Sequence, residues 1–425
     1  MAQKRSTRVC REGYYYLIVL GFVITGAILR DVNLLLALAG MMGGPFLFNW
    51  RITVDALRGL SVRRRLPERI AAGDLFVVDL LLEKKPLRSS LLRLPSRALV
   101  IEDAIVTDQT GRHPDRSEAR AIAWQVPCGQ QRRVSYRGRF FRRGVYRFGP
   151  LRVSTRFPAG LVRSTLTDDR SQSVTVLPRT GQLGEAWHRL YQEAVGGSRR
   201  RNQQQASRQG EFHGLRDWQH GDMRRWIHWR TTARRGLPIV RQFERYHHQE
   251  FVLLVDLAPV GTSADEDDEA VETAVSFAAT IVAEIARRGE GELHLGIGGA
   301  RPKTIRGSAS TQTSLRMLDA LAVAEPGLED GRMKLLTSGL EGAKAGIPVV
   351  LLTTRSLDLG DDAMFAELGK EPWGRHLLER IGVIDVRSDQ LQEFFHAPTD
   401  IGSERSQDAW QDDRLSTKTE SVRHP

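Results

Sequence analysis

Cysteine is nearly absent: Cys10 and Cys128 are the only two in 425 residues. That excludes a disulfide framework and fits a reducing compartment. The short motifs that announce an enzyme are missing too. The chain has no G-x-x-x-x-G-K-(S/T) phosphate loop, no G-x-S-x-G elbow and no H-E-x-x-H pair. Any P-loop ATPase working with it must therefore be another chain. Acidic residues are outnumbered, 51 against 62 Lys and Arg, which leaves a net charge of +11. Such a balance suits an anionic membrane or nucleic acid. No nucleic-acid module accompanies the charge, so the membrane is preferred.

Two apolar runs support that preference. Tyr14–Leu29 and Val32–Phe48 are separated only by Arg30 and Asp31. Each would span roughly 25 Å as a helix, at the short end for a bilayer. Ala37-Leu38-Ala39 imitates a signal-peptide cleavage site, but apolar sequence continues past it to Phe48. The expectation is a membrane hairpin over residues 1–50, with helices at about 14–29 and 32–48. Arg5, Arg8 and Arg11 precede it, and Arg51, Arg58 and Arg63–Arg65 follow. The positive-inside rule then places both termini and the soluble domains in the cytoplasm, with Arg63–Arg65 facing the lipid surface.

Residues 68–180 carry short β-prone runs: Phe76–Leu82, Ala98–Val106, Ala121–Val126, Arg133–Phe140, Gly144–Phe148, Leu151–Thr155 and Val174–Leu177. Turn residues such as Gly149-Pro150 punctuate them, which is the pattern of an all-β sandwich. Residues 181–250 hold a possible helix from Glu185, then a loop rich in Gly, Ser, Gln and Arg, then a denser segment. Residues 251–396 alternate strand and helix, so a doubly wound α/β domain is expected. Its strands are Phe251–Val255, Leu293–Ile297, Val349–Thr353 and Val383–Val386. Val271, Ala274, Val275, Ala278, Val282 and Ile285 share one face of a helix that Gly289 ends. Residues 397–425 are polar and read as a disordered tail.

The dense segment is residues 210–250, GEFHGLRDWQHGDMRRWIHWRTTARRGLPIVRQFERYHHQE. A helix is expected from about Asp222 to Ala233, with Asp222 as N-cap and Gly236 as its stop, and Ile239–Phe243 reads as extended. Arg interleaved with Asp and Glu suggests bidentate ion pairs, and Trp suggests anchors. The preferred reading is a structural knot in which Arg216, Asp222 and Arg225 form a network over buried Trp218 and Trp229. A partner surface comes second, and a catalytic centre third. His213, His220 and His228 lack metal-ligand spacing.

The pattern G-E-F-x-G-L-R-x-(W/Y)-x-x-G-D-x-x-R-x-I-x-W-x-x-(S/T)-A-R resembles the signature of the domain-of-unknown-function 58 family. Gly210, Glu211, Arg216, Trp218, Gly221, Asp222, Arg225, Trp229 and Arg234 carry the match, and Arg241 and Glu244 extend it. The F-P-x-G-L piece at 157–161 resembles the β-domain upstream of that signature. The resemblance implies a membrane anchor, a von Willebrand A-like domain and partnership with a MoxR-type AAA+ ATPase. The ion site of such a domain opens with D-x-S-x-S, which supplies hard oxygen ligands to Mg²⁺. Here the stretch is Asp256-Leu257-Ala258-Pro259-Val260, so the carboxylate remains and both hydroxyls are gone. Asp256 is a weak metal candidate in a degenerate site, and no cofactor is expected.

These features together suggest a non-enzymatic, membrane-tethered adaptor. A hydrolase using Asp217, Asp222 and His220 or His228 is one alternative. A basic, membrane-associated nucleic-acid binder is the other.

Overall fold

A computed structural model of the chain describes residues 4–30, 32–86, 94–107, 116–193, 212–220, 222–243, 250–259, 263–289, 291–327, 335, 347–355 and 381–398. The loop expected at 195–209 and the tail expected beyond 398 lie outside those residues. Two compact units divide between Leu177 and Pro178.

The first unit opens with β1 (Lys4–Val9), followed by α1 (Arg11–Arg30) and α2 (Asn33–Leu57). Nine strands follow among the described residues: β2 (Leu60–Arg65), β3 (Ile70–Ala71), β4 (Leu75–Lys84), β5 (Ser96–Thr107), β6 (Arg116–Val126), β7 (Gln131–Arg139), β8 (Gly144–Thr155), β9 (Val162–Asp168) and β10 (Gln172–Leu177). β2, β4 and β7 form a three-stranded antiparallel sheet, and the other strands form a seven-stranded sheet. β8 organises the larger one. One of its edges pairs with β5, while the other is shared between β10 and β9. Both sheets feed one apolar core, with Val78, Leu80 and Leu82 from β4 meeting Leu99, Ile101 and Phe148. β4 buries every second residue from Phe76 to Lys84, the period of a strand with one covered face.

Gly149-Pro150 was expected to be a turn between two strands. Instead β8 runs through it, and the register against β5 shifts there: Asp103 pairs with Leu151 while Ile105 pairs with Phe148. Two residues of β8 oppose one of β5, which is a β-bulge. Gly149, at φ 126°, takes the backbone conformation this requires.

The helices are longer than expected, and they are tied to the β-structure. β1 pairs with β9 along its whole length, so the basic N-terminal segment is a strand. α2 continues nine residues past Phe48, to Leu57. The polar residues of that extension made it look like the end of the helix, but two of them dock it. Thr53 Oγ1 donates to Phe157 O at 2.8 Å, and Ala159 N–H donates to Asn49 Oδ1 at 3.0 Å. Lys84 Nζ then donates to Asp55 O and Ala56 O, each at 2.8 Å. A cation on the last carbonyls complements the helix dipole. Along the pair of helices, Tyr16 donates to Met42 O at 2.8 Å and its ring stacks on Phe46. Among the described residues, α1 is the one helix long and apolar enough to cross a membrane.

The basic residues after α2 differ from the expected lipid-facing patch. Arg64 turns inward from β2. Its Nε donates to Asp103 Oδ2 at 2.7 Å, and its Nη2 donates to Oδ1. Tyr136 OH adds a bond to the same carboxylate at 2.7 Å. The two charged side chains are only 5% and 1% exposed. Burial pushes the Asp103 carboxyl upward while Arg64 and Tyr136 pull it down. Burial and the carboxylate together push the Tyr136 phenol up.

The second unit contains α3 (185–193), β11 (Gln182–Leu183), β12 (Phe212–Asp217), α4 (Trp229–Arg235), β13 (Ile239–Phe243), β14 (Glu250–Asp256), α5 (Ala264–Arg288), β15 (Glu292–Ile297), β16 (Lys303–Ser308), α6 (Thr311–Ala322), β17 (Val349–Thr353), β18 (Ile381–Asp385), α7 (Leu391–Phe394) and β19 (Phe395–His396). Its main sheet has the order β16-β15-β14-β17-β18. β15, β14, β17 and β18 are parallel, and β16 is an antiparallel edge that periodicity had not revealed. Every residue of the central strand β14 is buried, as an unbroken apolar run predicts. The expected face of α5 packs into the core with Phe251, Leu253 and Val255. Ser263 caps its start, and Gly289, at φ 69°, closes its end. Trp187 of α3 is fully buried between Tyr191, Phe251 and Phe277. β11 pairs with β19, joining the two ends of this unit. A Cβ on Gly184 would sit 2.0 Å from Glu393 O, so that approach needs glycine.

Candidate functional site

The signature segment folds as a small self-contained element. β12 and β13 form an antiparallel pair from Phe212↔Phe243 to Asp217↔Ile239, with a register shift between Phe212 and Gly214. The chain between them makes a short 3-10 turn at Arg224–Trp226 and then α4. Backbone pairing closes the element: Trp218 N–H donates to Pro238 O at 2.9 Å, and His228 N–H donates to Ile239 O at 2.7 Å within a bridge between Ile227 and Val240. Ile239 and Val240 are its buried floor.

The expected helix stop at Gly236 is correct, and its φ of 71° explains why glycine stands there. The expected N-cap is not. His228 caps α4, with Thr231 N–H donating to its Nδ1 at 3.3 Å and Thr231 Oγ1 2.8 Å from the same nitrogen. The helix starts later because Asp222 is committed elsewhere. Arg216 Nη1 and Nη2 donate to its two oxygens at 2.7 and 2.6 Å, and Gln219 N–H adds a third bond at 2.9 Å. The guanidinium, and after it the Gln219 N–H, hold the Asp222 carboxyl below the usual carboxylate range.

The buried network expected here is therefore only partly present. Arg216 and Asp222 do pair, but Arg225 lies with its guanidinium 5.7 Å from the centre of the Trp226 ring. The pair is not sealed, with side chains 37% and 11% exposed. Nor do tryptophans lie beneath it. Trp229 is 68% exposed, and Trp218 is exposed with its ring edge-on to His220. Leu215, Met223 and Leu237 add further exposed apolar groups, while Arg234 and Arg241 are exposed cations. Gly210, Glu211, Gly221 and Glu244 lie outside the described residues.

The stretch expected to be a degenerate ion site lies at the C-terminal ends of the parallel strands. Asp256 ends β14, buried, and accepts a long 3.4 Å bond from Thr353 Oγ1 at the end of β17. Its surroundings are occupied by loop-holding contacts. Thr354 Oγ1 donates to Ala258 O at 2.6 Å, and Arg355 Nη2 donates to Pro259 O at 2.6 Å.

The opposite end of the same strands holds a cluster that sequence reasoning missed. Glu250 and Glu292 are register partners at the starts of β14 and β15, His294 follows on the same face, and Arg306 opposes His294 from β16. Burial, and then Arg306, push the His294 imidazole below its ordinary value. The E-x-H spacing of Glu292 and His294, on one face of a strand, was the available signal.

Taken together, the chain is a β-unit carrying an apolar helix, followed by a mixed α/β unit with a small exposed signature element. Residues 214–408 match the family model described as "Protein of unknown function DUF58". The match takes in most of the signature segment and begins after the upstream β-rich stretch that also carried the resemblance. A curated relative, the uncharacterized protein YeaD of Bacillus subtilis (strain 168), is 25% identical over 250 residues, 58% of each chain. The alignment thus spans little more than half of that relative. Solved structures share only loose likeness. A β-glucosidase from Listeria innocua matches 28% of this chain and 16% of its own at 12% identity and TM-score 0.19. The DNA glycosylase AlkC of Pseudomonas fluorescens matches 37% of this chain and 42% of its own at 15% identity and TM-score 0.20.

Proposed function

We propose that the chain is a membrane-anchored, non-enzymatic adaptor whose signature element is a docking surface for a protein partner. The observation that carries this is the exposure of Trp218, Trp229 and the surrounding arginines on a hydrogen-bonded hairpin frame. Trp and Arg are the residues that dominate interface energetics, and large apolar groups left in water need a reason. The resemblance supplies the partner, a MoxR-type AAA+ ATPase, and the reading of the α/β unit as von Willebrand A-like.

The anchor is a two-helix hairpin. Supporting this, both ends of the helical pair are fastened to one β-unit: Cys10 N–H donates to Leu161 O at 2.8 Å, and Thr53 bonds Phe157. If α1 crosses the bilayer, α2 must return, which puts its flanking arginines and both termini on the cytoplasmic side. Phe22, Ile28, Leu29, Leu34, Leu36 and Met41 present exposed apolar surface for lipid.

Against the hydrolase alternative, both oxygens of Asp222 are engaged by Arg216. The Asp222 carboxylate is thereby committed to the guanidinium. His228 spends its Nδ1 on a helix cap. The nucleic-acid alternative is weakened by Arg64, Arg133 and Arg170, whose charge is answered by Asp103, Asp79 and Asp168.

The test is co-purification of the full chain, in detergent, with a MoxR-type ATPase from the same cell. Capture that is lost in Trp229→Ala supports the proposal. Capture that is indifferent to Trp218→Ala and Trp229→Ala, or no capture by the parent chain, counts against it.

A further inference from the structure

We propose that Glu250, Glu292 and His294 form a binding site for a first-row divalent metal ion, at the end of the sheet away from Asp256. The inference concerns the α/β unit alone and does not depend on the adaptor reading. One ligand atom from each residue lies within 4.8 Å of the other two. Register explains the convergence: Glu250 stands beside Glu292 across parallel strands, and His294 is two residues along the same face.

The second, independent observation is the histidine. His294 is 2% exposed. Its Nε2 is buried and has no hydrogen-bond partner among the described residues, with Glu292 Oε2 at 3.8 Å, beyond bonding distance. A buried polar atom left in that state costs stability, and a cation supplies what it lacks.

The donor set decides the class of ion. One imidazole with two carboxylates suits Zn²⁺ or a neighbouring transition ion, whereas Mg²⁺ and Ca²⁺ favour oxygen alone. Zn²⁺ bonds of about 2.0–2.2 Å need the ligand atoms to close by roughly 1 Å. Glu292, about a third exposed, has the freedom to do so. Arg306 acts as the competing cation. Its Nη2 lies 3.0 Å from Glu292 Oε2 and 3.9 Å from Glu250 Oε2, and it is exposed enough to swing away. A divalent ion would neutralise both carboxylates, where one guanidinium leaves a net negative charge. Three protein ligands leave a fourth position for water.

The experiment uses the full chain in detergent, stripped with a chelator and dialysed. Zn²⁺ is titrated against a chromophoric competitor, and Co²⁺ is added separately to read its visible absorption. One saturable equivalent per chain is expected, with affinity at least tenfold weaker in Glu292→Gln and His294→Gln. Arg306→Ala should tighten binding several-fold, an effect that a purely structural ion-pair cluster would not produce. Because His294 is buried, its variant can fail to fold. Glu292→Gln and Arg306→Ala alter accessible side chains and keep the test decisive. No saturable equivalent, or one whose affinity is the same in parent, Glu292→Gln and Arg306→Ala, overturns the proposal.

Discussion

Arg64–Asp103 and Arg216–Asp222 are both bidentate pairs, in opposite surroundings. The first lies in the β-unit core with Tyr136 on the same carboxylate. The second lies at the surface beside an exposed tryptophan. Density of arginine and acid along the sequence pointed to the wrong one as buried. The crowded signature segment remains open to solvent, while the core pair is built from residues 39 positions apart. Charge composition does not report burial. Strand alternation does: Leu60, Val62 and Arg64 share one face of β2, and Arg64 follows two buried side chains inward.

The contrast has measurable consequences. Removing one partner of a buried pair strands the other charge, so Asp103→Ala should lose about 3–5 kcal/mol of stability. Denaturant unfolding of the detergent-solubilised chain reads this directly, and a loss below about 1 kcal/mol would mean the pair is hydrated after all. Thr53→Val deletes the bond from α2 to Phe157 O and should cost about 1–2 kcal/mol in the same assay. An unchanged midpoint would show that α2 is not docked through Thr53.

Lys84 adds a pH signature to the same unit. Burial lowers its pKa to about 8, against roughly 10.4 in an unfolded chain. Below pH 8 both states hold the proton. Between the folded and unfolded values the unfolded chain holds more of it, so stability rises with pH across that window. Comparing parent with Lys84→Met from pH 7 to pH 10 isolates the effect, and parallel curves would contradict it. The smallest effect belongs to the surface pair. Asp222→Ala should change stability by only about 0–1 kcal/mol.

Much of the architecture was legible before any coordinates. The runs around β4, β5, β7 and β14, the apolar face of α5 and the Gly236 stop follow from period and turn chemistry, which are local. What escaped was non-local. β1 reads as a basic tail until β9 is available to pair with it. The end of α2 reads as polar until the 157–159 loop takes its Asn and Thr. β16 is short and half exposed, so its alternation is weak. In the signature, the composition identified the important stretch, but only the hairpin frame shows which side chains face water. Of Glu250, Glu292 and His294, only the last two share a local spacing, and strand register brings Glu250 to them.

The central claim is that the signature element is a surface and not a structural knot. The most direct test is the double variant Trp218→Ala/Trp229→Ala in the full chain, measured for unfolding stability and for ATPase capture side by side. The account predicts stability within about 1 kcal/mol of the parent, as for other exposed substitutions, together with loss of capture. A fall of about 3–5 kcal/mol, the cost of emptying a buried aromatic site, with capture retained by the folded fraction, would contradict it.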